Sequence, residues 1–272
     1  MMTAAIANES MLVIYLPGAG NGSPNLTVLR SGPNDGTCFE TVYYPGWQRY
    51  VREGFSPEAL IDELATEIAA RVPRGPIHIL GLSVGGHFGY AAALRLQAMG
   101  REIGGFCALD SFMIEDSAPG EGWQGRALAE ALELLRNGRL IAFSEFLRSR
   151  FWRALLRLAN NRLPQLIRTF SSASGRFSVT KLDPILEAEV SMRLLMREAA
   201  PWLGMLDQNP TRLNVPTVLI RTAHTAGDDD AWRRRCPRLE VREVTGHHHS
   251  LFEPENVGSL RNAFISATRQ WT

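Results

Sequence analysis

Residues 77–99 read IHILGLSVGGHFGYAAALRLQAM. The first six are an apolar run of strand length, and the stretch from Val84 to Met99 is free of proline and rich in alanine and leucine, as a helix requires. The two meet at Gly81-Leu82-Ser83-Val84-Gly85, a G-x-S-x-G pattern whose small flanking residues permit a sharp strand-to-helix turn that projects the serine oxygen. A serine at such a junction can also serve only as a helix cap. The strand before it and the helix after it favour the exposed nucleophile. A further strand is expected at 105–109, so strand, helix and strand follow with short connections and define a parallel βαβ unit in an α/β fold.

Working outward, residues 11–16 (MLVIYL) form a continuous apolar run ending at Pro17-Gly18, which suits a buried strand feeding a loop. A weaker strand is expected at 41–44. Over 57–72, Leu60, Ile61, Leu64, Ile68 and Val72 recur at helical spacing, with Ser56 placed as the N-cap. From about 117 to 207, long amphipathic helical stretches replace the alternation of strand and helix. Strands then return at 217–221 and 239–244, and a helix is expected over 254–270. The reading is one α/β domain over 1–272 with a helical lid inserted at about 117–207, because neither half of the sheet is complete alone.

The chain of 272 residues is 45% hydrophobic, with 29 basic and 28 acidic side chains, enough to bury a sizeable core and incompatible with a disordered chain. A formal charge of +1 argues against nucleic acid as a partner. Cys38, Cys107 and Cys236 are too few and too scattered for a disulfide framework or a metal site, which fits a reducing compartment. Residues 1–10 lack a basic segment followed by an apolar one, and no apolar run approaches the ~18 residues of a membrane span. A cytoplasmic protein without membrane contact is expected.

A serine hydroxyl needs a histidine base, and the base needs an acid that fixes its tautomer. His78 falls within a strand and His87 one turn into the helix, positions that favour packed, hydrogen-bonded side chains, and His224 lies in an undistinguished loop. His247-His248-His249 follows the last expected strand directly after Gly246 and leads the candidates, although chemistry alone does not choose among the three. Consecutive side chains diverge, so a metal site there is not expected. The acid is either Asp110, at the end of the strand after the nucleophile helix, or one of Asp228-Asp229-Asp230, after strand 217–221; both lie at carboxyl ends of strands. The aspartate triplet has another explanation, since it opens a short helix closed by Arg233-Arg234-Arg235 and so complements the helix dipole. An oxyanion hole would draw one backbone N–H from Val84 and a second from Ala19 in the loop Leu16-Pro17-Gly18-Ala19-Gly20.

At these residues the chain resembles the thioesterase domains of nonribosomal peptide and polyketide synthases, which have the α/β-hydrolase fold. The likeness is carried by Tyr15-Leu16-Pro17-Gly18-Ala19-Gly20, Gly81-Leu82-Ser83-Val84-Gly85-Gly86, Leu109-Asp110-Ser111 and Gly246-His247-His248-His249-Ser250-Leu251. It implies Ser83 as nucleophile, Asp110 as acid and His248 as base, the last from the family's G-x-H-x-x-M/L pattern. Stand-alone editing thioesterases take their acid from the later strand, which keeps Asp228 as the alternative. The resemblance further implies an acyl chain delivered as a phosphopantetheine thioester by an acyl or peptidyl carrier protein, and release by hydrolysis or cyclisation, with no cofactor of its own. A free-standing carboxylesterase is the other enzymatic reading.

Between residues 121 and 170 stand nine arginines against four glutamates, a local charge of +5 that leaves −4 for the remainder. Taken as a helix, 143–160 presents Arg150, Arg153 and Arg157 on one face. These are the candidate contacts to an acidic carrier protein or its phosphate; a solvated helix face is the simpler alternative. A second amphipathic stretch, 185–195, and the apolar stretch 201–206 are expected to close the lid over an acyl-binding cavity.

Overall fold

The computed structural model describes residues 11–32, 35–50, 55–112, 184–208, 210–225 and 229–271, together with 132, 136, 140, 143, 144, 146–148, 150 and 151. Among them, six strands form one sheet: β1 (Leu12–Leu16), β2 (Cys38–Thr41), β3 (Ile77–Leu82), β4 (Ile103–Leu109), β5 (Thr217–Thr222) and β6 (Leu239–Val244). The order is β2-β1-β3-β4-β5-β6, with each neighbouring pair parallel. The helices are α1 (Trp47–Tyr50), α2 (Pro57–Arg71), α3 (Val84–Ala98), α4 (Pro184–Gln208), α5 (Asp229–Arg235) and α6 (Val257–Thr268). The chain leaves β1 toward one edge of the sheet and leaves β3 toward the other. The carboxyl ends of β1 and β3 therefore flank the topological switch point, where open α/β sheets place their ligands.

The central strands are buried on both faces, as parallel strands are when helices cover them. Every residue of β4 is buried, and five of six in β3. One face of the sheet contributes Val13, Tyr15, Leu80, Cys107, Leu109, Val218 and Ile220 to a core closed by Leu251 and by Leu260 and Phe264 of α6. Ser56 caps α2 as expected, its hydroxyl accepting the Ala59 N–H at 3.1 Å. Strand β2 lies three residues earlier than the sequence pattern suggests. Val42 still donates to the Tyr15 carbonyl at 3.0 Å, but the Tyr44 backbone is engaged by the Asn21 side chain, whose Oδ1 accepts its N–H at 2.9 Å and whose Nδ2 donates to its carbonyl at 3.0 Å.

The chain divides into two compact units, one of residues 1–44, 56–113 and 201–272, which holds the sheet, and one of residues 45–55 and 114–200. In the second unit Tyr50 packs edge-on against Phe55 at 5.0 Å, and the Arg150 guanidinium lies 5.0 Å from the centroid of the Phe146 ring. Most of the insertion expected at 117–207 lies outside the described residues. The two stretches expected at 185–195 and 201–206 are one helix, α4, which continues through Pro201. The proline forfeits one backbone hydrogen bond, and the burial of Trp202 and Leu203 beside it compensates.

At the opposite end of the strands from the switch point, the chain's penultimate residue closes the core. The Trp271 ring stacks on His78 at 5.3 Å and meets Phe264 edge-on at 5.9 Å, and a Cβ added at Gly105 would collide with it. Gly105→Ala should therefore cost about 1–3 kcal/mol through overpacking. In a Trp271→Ala background the same substitution should cost close to nothing; urea unfolding of the four proteins in this cycle measures the coupling.

Candidate active site

Strand β3 ends at Leu82, and Ser83 turns the chain into α3 with φ 56° and ψ −126°. This is a conformation that L-residues rarely adopt. It is held by the Ser83 N–H donating to the Leu109 carbonyl at 2.8 Å and by the Gly86 N–H donating to the Ser83 carbonyl at 3.0 Å. The surrounding glycines are required by space. A Cβ at Gly81 would strike the Gly85 carbonyl, one at Gly85 would strike the Leu16 and Pro17 carbonyl oxygens, and one at Gly86 would strike the Ser111 hydroxyl. The doubled glycine thus lets α3 lie directly against the end of β1 and the segment that follows β4.

That contact carries the loop after β1 to Ser83. A Cβ on Gly18 would stand 3.5 Å from the Ser83 Cβ, and Ala19 is the next residue. The loop is fixed by the Tyr44 hydroxyl, which donates to the Pro17 carbonyl at 2.7 Å, by a turn from Asn21 N–H to the Gly18 carbonyl at 2.9 Å, and by the Asn21 amide clipped to the Tyr44 backbone. Val84 opens α3, where a helix N–H lacks an intrahelical acceptor and the positive end of the dipole favours negative charge.

Asp110 follows β4 with φ 46° and is fully buried. Its N–H donates to the Ile220 carbonyl at 2.7 Å. Its Oδ1 accepts the Thr222 N–H at 3.1 Å and the Thr225 hydroxyl at 2.7 Å, and its Oδ2 lies 2.7 Å from Nδ1 of His248. A carboxylate only accepts, so the His248 proton is on Nδ1 and the Nε2 lone pair is free to take a proton. Burial pushes the Asp110 carboxyl up, but the hydrogen bonds from His248, Thr222 and Thr225 outweigh it and hold the group below the usual carboxylate range.

The triplet divides clearly. His247 and His249 are exposed, whereas His248 is half-buried, with its ring edge-on to Phe112 at 5.3 Å. Gly246 sets this up at φ 92°, and the turn is tied by the Ser250 hydroxyl, which accepts the His247 N–H at 3.0 Å, and by Asn256, which donates to the Ser250 carbonyl at 3.0 Å. Among the described residues no group of three histidine, cysteine or acidic side chains is placed to hold a metal ion. No helix among them is long and apolar enough to cross a membrane.

Asp228 lies outside the described residues, as do Arg153 and Arg157. Asp229 begins α5 and pairs with Arg221 at 3.1 Å, which gives that member of the aspartate triplet a structural partner. The sequence carries no signal for Thr222, Thr225, Tyr44 or Asn21, because each acts on a group distant in the chain. The sequence pattern makes Arg235 a dipole partner at the end of a helix; its guanidinium is instead buried, against Asp207 and His87.

A strained serine between β3 and α3 of a parallel sheet, with a buried aspartate paired to a half-buried histidine at the ends of the following strands, defines an α/β-hydrolase fold. The chain belongs to the thioesterase domain family, whose model matches residues 13–267. Solved structures similar to it include the Vlm2 thioesterase domain bound with a dodecadepsipeptide, at 16% identity and TM-score 0.57, over 95% of this chain and 93% of that one. Also similar is the NocB thioesterase domain in covalent complex with a fluorophosphonate nocardicin G analogue, at 16% identity and TM-score 0.58, over 96% and 95%. A four-domain nonribosomal peptide synthetase, AB3403, matches at 15% identity and TM-score 0.58, over 95% of this chain and 19% of that one. No curated protein sequence matches.

The Thr225 hydroxyl can be tested as a support of the acid. A depressed carboxyl pKa contributes stability that is present above the unfolded value of about 3.9 and is lost as pH falls through the folded value. Thr225→Val removes one donor and raises the folded value, so acid unfolding followed by circular dichroism should begin at higher pH. At pH 7, urea unfolding should show a loss of about 1.5–3 kcal/mol.

Proposed function

We propose that the protein is an acyl-enzyme thioesterase that releases a peptide or polyketide chain from a phosphopantetheinyl carrier protein, with Ser83, His248 and Asp110 as its catalytic triad. The observation that carries this reading is the 2.7 Å contact between His248 Nδ1 and a buried, triply hydrogen-bonded Asp110, in a chain whose elbow serine is held at φ 56°. Membership of the thioesterase family supports it, as do the dodecadepsipeptide bound to the Vlm2 thioesterase domain and the covalent fluorophosphonate complex of the NocB thioesterase domain. The donors that converge on Asp110 favour it over Asp228 as the acid.

In this mechanism Ser83 Oγ attacks the thioester carbonyl as His248 Nε2 takes its proton, and the oxyanion receives the N–H groups of Val84 and Ala19. The carbon–sulfur bond breaks, and His248 returns the proton to the departing pantetheine thiolate. Water, or a hydroxyl or amine of the acyl chain, then attacks the ester on Ser83, again delivering its proton to His248 and from there to Ser83. Asp110 keeps His248 in the Nδ1–H tautomer and stabilises the imidazolium. Arg150, Arg153 and Arg157 are assigned to the carrier protein, and the insertion at about 117–207 to the lid.

Mass spectrometry after incubation with acyl-pantetheine thioesters and with a fluorophosphonate should find both adducts on Ser83, and neither in Ser83→Ala. His248→Ala should lower kcat by about 10²–10⁴-fold, while His247→Ala and His249→Ala leave it near native. Equal losses at all three histidines would exclude the assignment. Asp110→Asn should cost about 10⁴-fold through the wrong tautomer, with Asp228→Asn close to native. Charge reversal at Arg150, Arg153 and Arg157 should raise KM for carrier-bound acyl chains and leave pantetheine thioesters unaffected.

A further inference from the structure

Helix α5 ends at Arg235, whose side chain is 1% exposed. Its Nη2 pairs with Asp207 at 2.6 Å, its Nη1 lies 2.8 Å from Nδ1 of His87, and the rings of Tyr90 and Trp232 stand 5.4 and 5.3 Å from the guanidinium carbon. His87 stacks on Trp232 at 5.2 Å, and its Nε2 lies 3.2 Å from the Phe112 carbonyl. Trp232 donates its indole N–H to the neighbouring Ser111 carbonyl at 2.7 Å. Two consecutive carbonyls directly after Asp110 are therefore held by buried side chains from α3 and α5, and the Phe112 ring packs against the His248 imidazole.

The chemistry of this chain of contacts runs in one direction. A guanidinium has donors and no acceptor and does not deprotonate. His87 Nδ1 must therefore present its lone pair, and the proton must sit on Nε2, where it is donated to Phe112. The opposite tautomer would set donor against donor at Arg235 and lone pair against lone pair at Phe112, so the two partners bias the ring together and removing either weakens its preference. Burial, and secondarily the charge of Arg235, lower the His87 pKa to about 3, so the ring stays neutral and the tautomer is the variable that matters.

We propose that Arg235 is a positioning residue for the base: by fixing the tautomer of His87 it locks residues 110–112, and with them both the acid and the ring against which His248 rests. The proposal builds on the triad assigned above. The competing account is an ion pair that serves stability alone. Buried pairs contribute little on that score, and their replacement by apolar residues is often neutral or stabilising.

The test is the double variant Asp207→Leu/Arg235→Met, which removes both charges together. Nitrogen-15 histidine spectra of the native protein should show His87 protonated on Nε2 and a low-field proton on His248 Nδ1. In the double variant His87 should become a tautomer mixture and the His248 proton should broaden or move upfield. Thioester kcat should fall about 10- to 100-fold, as expected for a small misplacement of a reacting group, with KM changed less than twofold. Adding His87→Gln, whose amide supplies an N–H with no tautomer to control, should restore both the signal and kcat. A folded double variant with an unchanged His248 proton, or no recovery with glutamine, overturns the proposal. If the double variant does not fold, the pair His87→Gln and His87→Phe in the native background decides, with the signal kept in the first and lost in the second; retention in both overturns it. Because the spectra need no turnover, a native protein that neither hydrolyses thioesters nor labels at Ser83 would count against the proposed function and leave this test standing.

Discussion

The structure depends on how closely the first turn of α3 approaches the end of β1. Without side chains at Gly81, Gly85 and Gly86, backbone meets backbone at the switch point, and Ser83 is forced into a conformation that it would not adopt in isolation. The cost is of order 1–3 kcal/mol for such a residue, and the hydrogen bonds to Leu109 and from Gly86 oppose it. The same crowding fixes the loop after β1 beside the serine. Ser83 and the candidate oxyanion donors are thus positioned by one steric fact.

A second constraint arises at the end of β4, where a carboxylate is buried. An ionised group there is tolerable only when its oxygens are satisfied, and the three donors come from three places: Thr222 at the end of β5, Thr225 in the turn that follows, and His248 after β6. Each strand end on this side of the sheet therefore contributes to the environment of one aspartate. The parallel arrangement makes this possible, since all carboxyl ends lie along one edge of the sheet, in register from β4 through β6. Thr225 stands three residues after β5 and three before Asp228, the alternative acid, and its hydroxyl serves Asp110.

Much of this was legible in the sequence because the elbow, the strand-terminal aspartate and the histidine triplet are local patterns. G-x-S-x-G needs only its immediate neighbours, and the apolar runs of β1, β3 and β5 announce themselves without tertiary information. Selecting Asp110 and His248 rested on family resemblance, and the geometry supplies a physical reason for the latter, since the flanking histidines point their surface to solvent. Thr225 and Asn21 were not legible. A hydroxyl or an amide in a loop looks the same whether or not a distant backbone group arrives beside it. The misplacement of β2 has the same origin, because the strand yields to a side chain 23 residues away in sequence.

Arg235 shows how a correct local inference can miss the function of a residue. The series Asp229-Asp230 to Arg233-Arg234-Arg235 does complement the dipole of α5, and the helix forms as that pattern implies. Helical geometry nevertheless turns only one of the three arginines inward, the one three residues beyond the buried Trp232, and there dipole complementarity is the smaller effect. What matters is that a guanidinium offers two donors in fixed relative orientation, one for Asp207 and one for His87. A lysine would bring the same charge without that fork, and its pKa would fall on burial. In a chain with a single lysine, Lys181, arginine at this position carries no compositional signal; only the buried histidine it faces reveals that its geometry, more than its charge, is what the site uses.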